Sequence, residues 1–586
     1  MSHIADHESK NDLDVLRHST AHLLAAAVTE LFPGARYAIG PPVQDGFYYD
    51  FDLDQALTEA DLSRIEDRMR EIAATDPAFE REEVPREDAI STFREMGQSY
   101  KVEILGEIAD GGVSLYRTGG FLDLCRGPHV PSARGLRHFK LLRVTGAYWR
   151  ADERNRMLQR VHGTAWPTKN DLQGYLAFLE EAERRDHKRL GRELRLFALD
   201  ERTGTGLPLW LPAGATVRRE LERWIVDEEL ARDYSHVRTP EVARLDLFRQ
   251  SGHLELFGES MYPPMRFQDS GEELELRPVN CPHHILVYQT ELRSYRDLPL
   301  RIAEIGNNWR FERSGTLAGL NRVRAFALND AHIFCTPEQL HQEVRGAIDL
   351  ALHFSDVLGI DDFWYRLSVR DEVKSKWLGD EEQWRRAQQA LTDALESLGL
   401  PYEVGVGEAA FYGPKIDFQV RDAHRREFTN STVQVDFQLP ARFGLEYVAE
   451  DGSRQMPIMV HRGAAGSMER LFSYLIERYA GAFPLWLAPV QVVVVPIADG
   501  QNEYARSVAA RLRALRIRVE VDERPERMQR KIRDAQHRKV PYMAVIGARE
   551  AESGRIAVRT RSGEQSDEAA EAFAARLALE IAERRR

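Results

Sequence analysis

The stretch APVQVVVVPIA, residues 488–498, constrains the folding of this chain more than any other. It is dominated by β-branched valine and bounded by prolines, so it reads as a buried strand. Its length is about half of what a membrane-spanning helix needs. From this run onward the pattern alternates strand and helix, which predicts a small parallel or mixed α/β domain. That domain is locally basic, in ARLRALRIRVEV and again in MQRKIRDAQHRKV.

The preceding sequence cannot belong to the same core. At 586 residues the chain exceeds one hydrophobic centre, and about three or four domains are expected. Residues from about 12 to 150 look like one α+β unit: a helix carrying HSTAH, the alternating strand FYYDFDL, and the amphipathic helix DLSRIEDRMREIAA. KNDLQGYLAFLEEAERRDHKRLGRELRLF follows as one long, charged connecting helix. Between about 198 and 485, aromatic and β-branched strands such as FYGPKIDFQV and STVQVDFQL alternate with long helices, as in a large sheet with helices against it.

Composition excludes several classes. Hydrophobic residues at 43% and charged residues at 30% are a globular balance, and a net charge of −13 excludes a generic nucleic-acid sponge. A local basic face can still read RNA. Three cysteines, Cys125, Cys281 and Cys335, argue against a disulfide framework and fit a reducing compartment. The N-terminal MSHIADHESKND is polar and acidic, without a signal-type apolar run, so a cytoplasmic protein with no membrane partner is expected.

Two sets of side chains carry chemistry. His18 and His22 lie four apart on one helical face, and Cys125 and His129 repeat that spacing in LDLCRGPHV. Lys101, Asp123 and Tyr49 add groups suited to acid–base work. A His pair at this spacing is ordinarily a partly exposed helix face. Taken together, the residues admit a zinc tetrad or a hydrolytic pocket. The second set, Cys281 in VNCPHH, His332 in NDAHIF and His461 in MVHRGAAG, is linked by no local spacing, and a buried core cysteine is the plainer reading.

The ordered strings RHSTAHLL, IGPPVQDGFYYDFD, LDLCRGPHVP, DHKRLGRELRLF, RPVNCPHH, SYRDLPLRIAEIG, RVRAF, DAHIFC, AFYGPKIDF, TVQVDFQLP, HRGAAGSMERL and VPYMAVIGARE closely resemble bacterial threonyl-tRNA synthetases, a class II aminoacyl-tRNA synthetase family. The resemblance runs from about residue 14 to 580. The small N-terminal β-rich module that commonly precedes these segments has no counterpart in it. It implies an α+β multidomain chain. An α+β editing domain would span 1–165 and a linker helix 166–197. An antiparallel-sheet class II catalytic domain with helices would span 198–486, and a C-terminal α/β anticodon-binding domain 487–586.

Carried over by resemblance, His18, His22, Lys101, Cys125 and His129, with Tyr49 and Asp123 beside them, form a pocket that hydrolyses seryl-tRNA, zinc there being the alternative. Cys281, His332 and His461 match the ligands of one catalytic zinc per chain. Arg310 would hold the α-phosphate of ATP and the amino-acid carboxylate, and Glu312 the adenine amino group. Arg322 would meet the outer phosphates, Phe326 would stack on the base, and Arg470 would lie on the nucleotide's other side, with Mg²⁺ assisting. Asp330, Tyr412 and Gln434 would complete the threonine pocket. His253 matches the histidine near transfer to the tRNA 3′ end, and Glu552 and Arg561 match anticodon readers. The resemblance further implies tRNA(Thr), ATP and threonine as partners, and a homodimer built around HVRTPEVARLDLF.

The chain departs from the common pattern at Leu328, where a glutamine touching the adenylate is usual, at Phe428-Thr429-Asn430-Ser431, and at His283, where glycine follows Cys-Pro. These changes cluster at the pocket while the zinc ligands stay. They suggest a retuned pocket, with the extra imidazole of His283 beside the zinc crowding the substrate or blocking an inhibitor. The first expectation is a threonine–tRNA ligase with editing. A specialised paralogue (an inhibitor-resistant copy, or one activating another β-hydroxy amino acid) and a non-catalytic RNA-binding regulator are the alternatives.

Overall fold

Ala21–Val28 is an almost unbroken apolar run inside helix Asp12–Leu31, so this helix has no polar face there and is buried along most of its length. It packs with helix Glu59–Ala74, whose start is fixed by a Thr58/Asp61 capping box, over a sheet in the order Arg36–Tyr37, Gly46–Asp52, Met157–Ala165, Phe139–Tyr148. A smaller antiparallel sheet, Phe79–Pro85, Gly112–Thr118 and Phe121–Leu124, has its own apolar cluster with helices Arg86–Glu95 and Ser99–Glu107. The chain divides into two compact units, Met1–Glu180, to which these elements belong, and Glu181–Arg586. The computed structural model describes residues 12–109, 111–373 and 376–585. The N-terminal segment read above as lacking a signal sequence lies outside them up to residue 11.

The second unit is organised by an eight-stranded sheet. Its order is Ser235–His236, Leu300–Trp309, Ala325–Cys335, Ile458–Gly463, Glu427–Asp436, Lys415–Arg421, Phe363–Val369, Tyr402–Val406. The outermost pair at each end is parallel and every pairing between is antiparallel. Helices Leu340–Val357, Glu381–Ser397 and Met468–Arg478 contribute to the large apolar core of this unit. Toward the C-terminus, Val492–Pro496 is buried at every position and sits inside a mixed sheet. Val519–Val521 and Tyr542–Ile546 pair with it in parallel, and Arg555–Thr560 and Gln565–Ala569 add antiparallel strands. Helices Asn502–Ala514 and Ala570–Ala582 help close that core. The valine run thus behaves as its composition predicts.

One expected element differs. The connecting helix is two helices, Lys169–Arg185 and His187–Glu193. Asp186 breaks it: its carboxylate accepts from the Lys188 and Arg189 amides at 2.8 and 3.1 Å and restarts the helix as an N-cap. Among the described residues no helix is long and apolar enough to cross a membrane.

Candidate active site and candidate hydrolytic site

Strand alternation builds the larger site. On Ala325–Cys335, Phe326, Leu328, Asp330 and His332 recur every second residue and line one face. Cross-strand register sets His332 opposite His461 and His461 opposite Gln434. Cys281 enters from the first turn of helix Cys281–Tyr288. The ligand atoms of Cys281, His332 and His461 lie within 4.8 Å of one another, and all three residues are buried. They border a cavity of about 430 Å³ that Arg310, Arg322 and Arg470 also line.

Hydrogen bonds fix the imidazoles. His461 Nε2 meets Asp436 Oδ2 at 2.9 Å, so it carries the proton and leaves Nδ1 as the lone-pair nitrogen. His284 Nε2 lies 3.4 Å from Glu304 Oε2, and His284 Nδ1 lies 2.7 Å from His332 Nδ1. Donation to Glu304 makes His284 Nδ1 an acceptor, which places the His332 proton on Nδ1 and frees Nε2. Burial, with Asp330 and Asp436 nearby, pushes the Cys281 thiol well above its ordinary value. A thiol and two imidazoles with one free lone pair each, on a cavity wall, are a donor set suited to zinc with open positions.

Asp330 accepts from Asn280 Nδ2 at 2.9 Å, and the Tyr412 hydroxyl donates to Gln434 Oε1 at 2.8 Å while its ring stacks on His461. His253 lies behind Cys281, with Nε2 3.8 Å from the sulfur and Nδ1 2.8 Å from Ser251 Oγ. Burial, with His461 and Arg310 nearby, pulls His253 down to about 3, so it is neutral. The Arg310 guanidinium lies over Phe257 and Phe326 and donates to the Pro278 carbonyl. Arg322 pairs with Glu312 at 2.8 Å. Burial, reinforced by Arg310 and Arg322, pulls Arg470 down to about 10, the signature of crowded cations facing space suited to an anion.

The departures fall unevenly. Leu328 and Thr429 line the cavity, and Thr429 Oγ1 accepts from Gln419. His283 does not line it: the ring is buried 6.2 Å from Phe248, so it is not placed to crowd a substrate in the cavity. Asp436, His284 and Glu304 were missed from sequence. A lone aspartate two residues after Gln434 in an apolar strand was the available signal.

In the first unit, His18 and His22 project from the buried helix and Cys125 and His129 from the loop after Phe121–Leu124. Cys125 Sγ lies 3.3 Å from His18 Nε2 and 3.2 Å from His129 Nε2, and all four ligand atoms are within 4.8 Å of one another. Ser19 spends its proton on the Val15 carbonyl, so its oxygen accepts from His129 Nδ1 at 3.1 Å. Asp123 is the hub of the polar side: Lys101 Nζ at 2.5 Å, the Tyr49 hydroxyl at 2.6 Å and His22 Nε2 at 3.3 Å converge on it. Burial, with His18 and Lys101 adding repulsion, holds His22 well below its ordinary value and keeps it neutral. All seven residues expected of this pocket are therefore brought together. Glu552 is exposed on helix Ala548–Ser553, and Arg561, after strand Arg555–Thr560, donates to the Phe483 carbonyl at 2.7 Å.

A mainly antiparallel sheet beside an arginine-lined cavity fits a class II aminoacyl-tRNA synthetase core, and residues 265–479 match the model of the tRNA synthetase class II core domain (G, H, P, S and T). Residues 491–578 match an anticodon binding domain, and residues 113–162 the threonyl and alanyl tRNA synthetase second additional domain. The threonine–tRNA ligase of Geobacillus kaustophilus is 48% identical over 578 residues, 98% of this chain and 88% of that protein. That of Rubrobacter xylanophilus is 49% identical over 99% of this chain and 90% of its own length. A solved RNA-binding domain of threonyl-tRNA synthetase from Cryptosporidium parvum superposes with a TM-score of 0.64 at 37% identity, covering 67% of this chain and 98% of that one. The chain belongs to the threonine–tRNA ligase family.

Proposed function

We propose that the cavity of the second unit activates threonine, with Cys281, His332 and His461 the residues that would hold a zinc ion there, and that the histidine–cysteine pocket of the first unit hydrolyses seryl-tRNA. The observation that carries the first part is the pair of imidazoles locked by Asp436 and by the His284–Glu304 relay, each with one lone pair left. When bound, zinc supplies Lewis acidity toward an amino group and a neighbouring hydroxyl. Apolar walls alone separate threonine from isosteric valine poorly, whereas a site that requires the hydroxyl rejects valine strongly. Serine retains both groups, so a second, hydrolytic pocket has a purpose.

The chain's own residues do the rest. Asp330, Tyr412 and Gln434 orient the small zwitterion. Arg310 sits between the metal ligands and the nucleotide space, where it holds the carboxylate and the α-phosphate together. Phe326 and Glu312 take the adenine, and Arg322 and Arg470, with Mg²⁺ carried by ATP, neutralise the polyphosphate. Neutral His253 acts near the tRNA 3′ end. In the first unit, neutral His22, oriented by Asp123, activates water, and the Lys101–Asp123–Tyr49 group holds the substrate. Glu552 and Arg561 read the anticodon, and the chain works as a cytoplasmic homodimer. The boundaries 1–165, 166–197, 198–486 and 487–586 accommodate all three family matches.

A metal in the first pocket is the second reading, favoured by four ligand atoms within 4.8 Å. The Lys101 ammonium on Asp123 weighs against it, because a dication there meets a positive neighbour. Amino-acid-dependent ATP–pyrophosphate exchange tests the main proposal. Threonine is expected to support exchange, serine weakly and valine scarcely. Exchange with valine comparable to that with threonine, or none with threonine in zinc-loaded protein, contradicts it.

A further inference from the structure

Ala318 and Arg322 bridge each other as an antiparallel pair, so Gly319, Leu320 and Asn321 form the tip of a tight hairpin directly before Arg322. Each tip residue is held from outside. Gly319 has φ +55°, and a Cβ there would fall 2.2 Å from His187 Nε2, so the ring covers it at a distance only glycine permits. The Leu320 amide donates to that same nitrogen at 3.1 Å. The Asn321 carbonyl accepts from Arg470 Nε at 3.1 Å, and its side-chain oxygen accepts from the Ser473 hydroxyl.

His187 is itself oriented. Because Nε2 accepts, the ring proton sits on Nδ1, which donates to Glu477 Oε1 at 2.6 Å. The other oxygen of Glu477 accepts from the Ala423 amide at 2.8 Å. Arg470, Ser473 and Glu477 occupy i, i+3 and i+7 of helix Met468–Arg478, one stripe of one helix. The ligand atoms of Asp186, His187 and Glu477 also lie within 4.8 Å of one another, but both His187 nitrogens are committed to Leu320 and Glu477, which leaves no lone pair for a metal.

We propose that His187 is a positioning residue for ATP: braced by Glu477, it clamps the Gly319–Asn321 tip against the Arg470–Ser473 stripe and so fixes Arg322 and Arg470 at the polyphosphate. The inference rests on the phosphate roles given above to Arg322 and Arg470. The first histidine of the helix that Asp186 caps thereby governs nucleotide binding without touching the nucleotide.

Two substitutions separate the two faces of the ring. His187→Asn keeps a short donor toward Glu477 but cannot reach Leu320, whereas His187→Gln returns an acceptor near the position of Nε2. The readouts are the KM values in pyrophosphate exchange and hydrogen exchange at the Leu320 amide, both on the full chain. His187→Asn is expected to raise the ATP KM about tenfold, the loss of one buried hydrogen bond, with the threonine KM held within about twofold and faster exchange at Leu320. His187→Gln is expected to recover most of both. An unchanged ATP KM in His187→Asn, alongside a raised one in Arg470→Ala, overturns the clamp alone. An unchanged ATP KM in Arg470→Ala overturns the phosphate assignment and the clamp with it. A general fall in melting temperature and kcat that His187→Gln does not rescue reduces His187 to a structural role.

Discussion

Each unit of the chain sets a cysteine against histidines, and the two clusters differ less in their ligand atoms than in what stands behind them. Behind Cys281, His332 and His461 stand Asp436 on one imidazole, Glu304, itself paired with Arg277 at 3.4 Å, through His284 on the other, and Asp330 4.0 Å from His332. Behind His18, His22, Cys125 and His129 the buried acid Asp123 is paired with Lys101. On the roles proposed above, Asp436 and Asp330 favour a dication in the first environment, and Lys101 opposes one in the second. Under the proposed roles, side-chain type underdetermines function, and outer charge separates metal holding from water activation.

Substitutions can break this contrast. The largest effect belongs to Cys281→Ala, which is expected to lower threonine-dependent pyrophosphate exchange by more than about 10³-fold, since several kcal/mol of charge stabilisation leave with the metal. Cys125→Ala, in the other unit, should leave that exchange within about twofold. Next comes His22→Ala, for which seryl-tRNA deacylation should fall on the order of 10²-fold or more while pyrophosphate exchange persists. A loss of exchange in that variant would mean that the two clusters do not work separately.

Asp436→Asn sharpens the contrast at its source. With both ligand imidazoles intact, zinc affinity or activity should still fall about 10–100-fold, as for outer partners of metal ligands elsewhere. Equal zinc affinity in the variant and the parent would remove the outer acid from the account. Leu328→Gln should be the mildest, changing exchange by less than about threefold although one buried amide can be worth more. Arg310 and Arg470, the cations proposed to carry the nucleotide, are held by contacts that Leu328 does not share. A gain well beyond that would support an attenuated paralogue.

Much of this was legible in the sequence where the signal is local. The valine run, the i,i+4 histidines and the alternation around Gln434 all state their geometry directly. The triad of Cys281, His332 and His461 has no such signature. Cys281, His332 and His461 meet because the sheet register sets His332 opposite His461, and only the resemblance to a family named them together. Asp436 and His284 stayed hidden because their role appears only when strands are paired and a helix is docked. The break at Asp186 was readable in principle, since an aspartate before a second helical run is an N-cap, but the surrounding charges continue one helical pattern across it. His283 shows the opposite error: its proximity to Cys281 in sequence suggested crowding, yet the helix carries its ring away from the cavity.

Counting zinc tests the contrast most directly. Elemental analysis of the purified protein, with Cys281→Ala and Cys125→Ala beside it, should give one zinc per chain, none, and one. Two per chain in the parent, or loss of the metal with Cys125→Ala, would show that the first pocket holds a metal despite Lys101 and would contradict the division of roles.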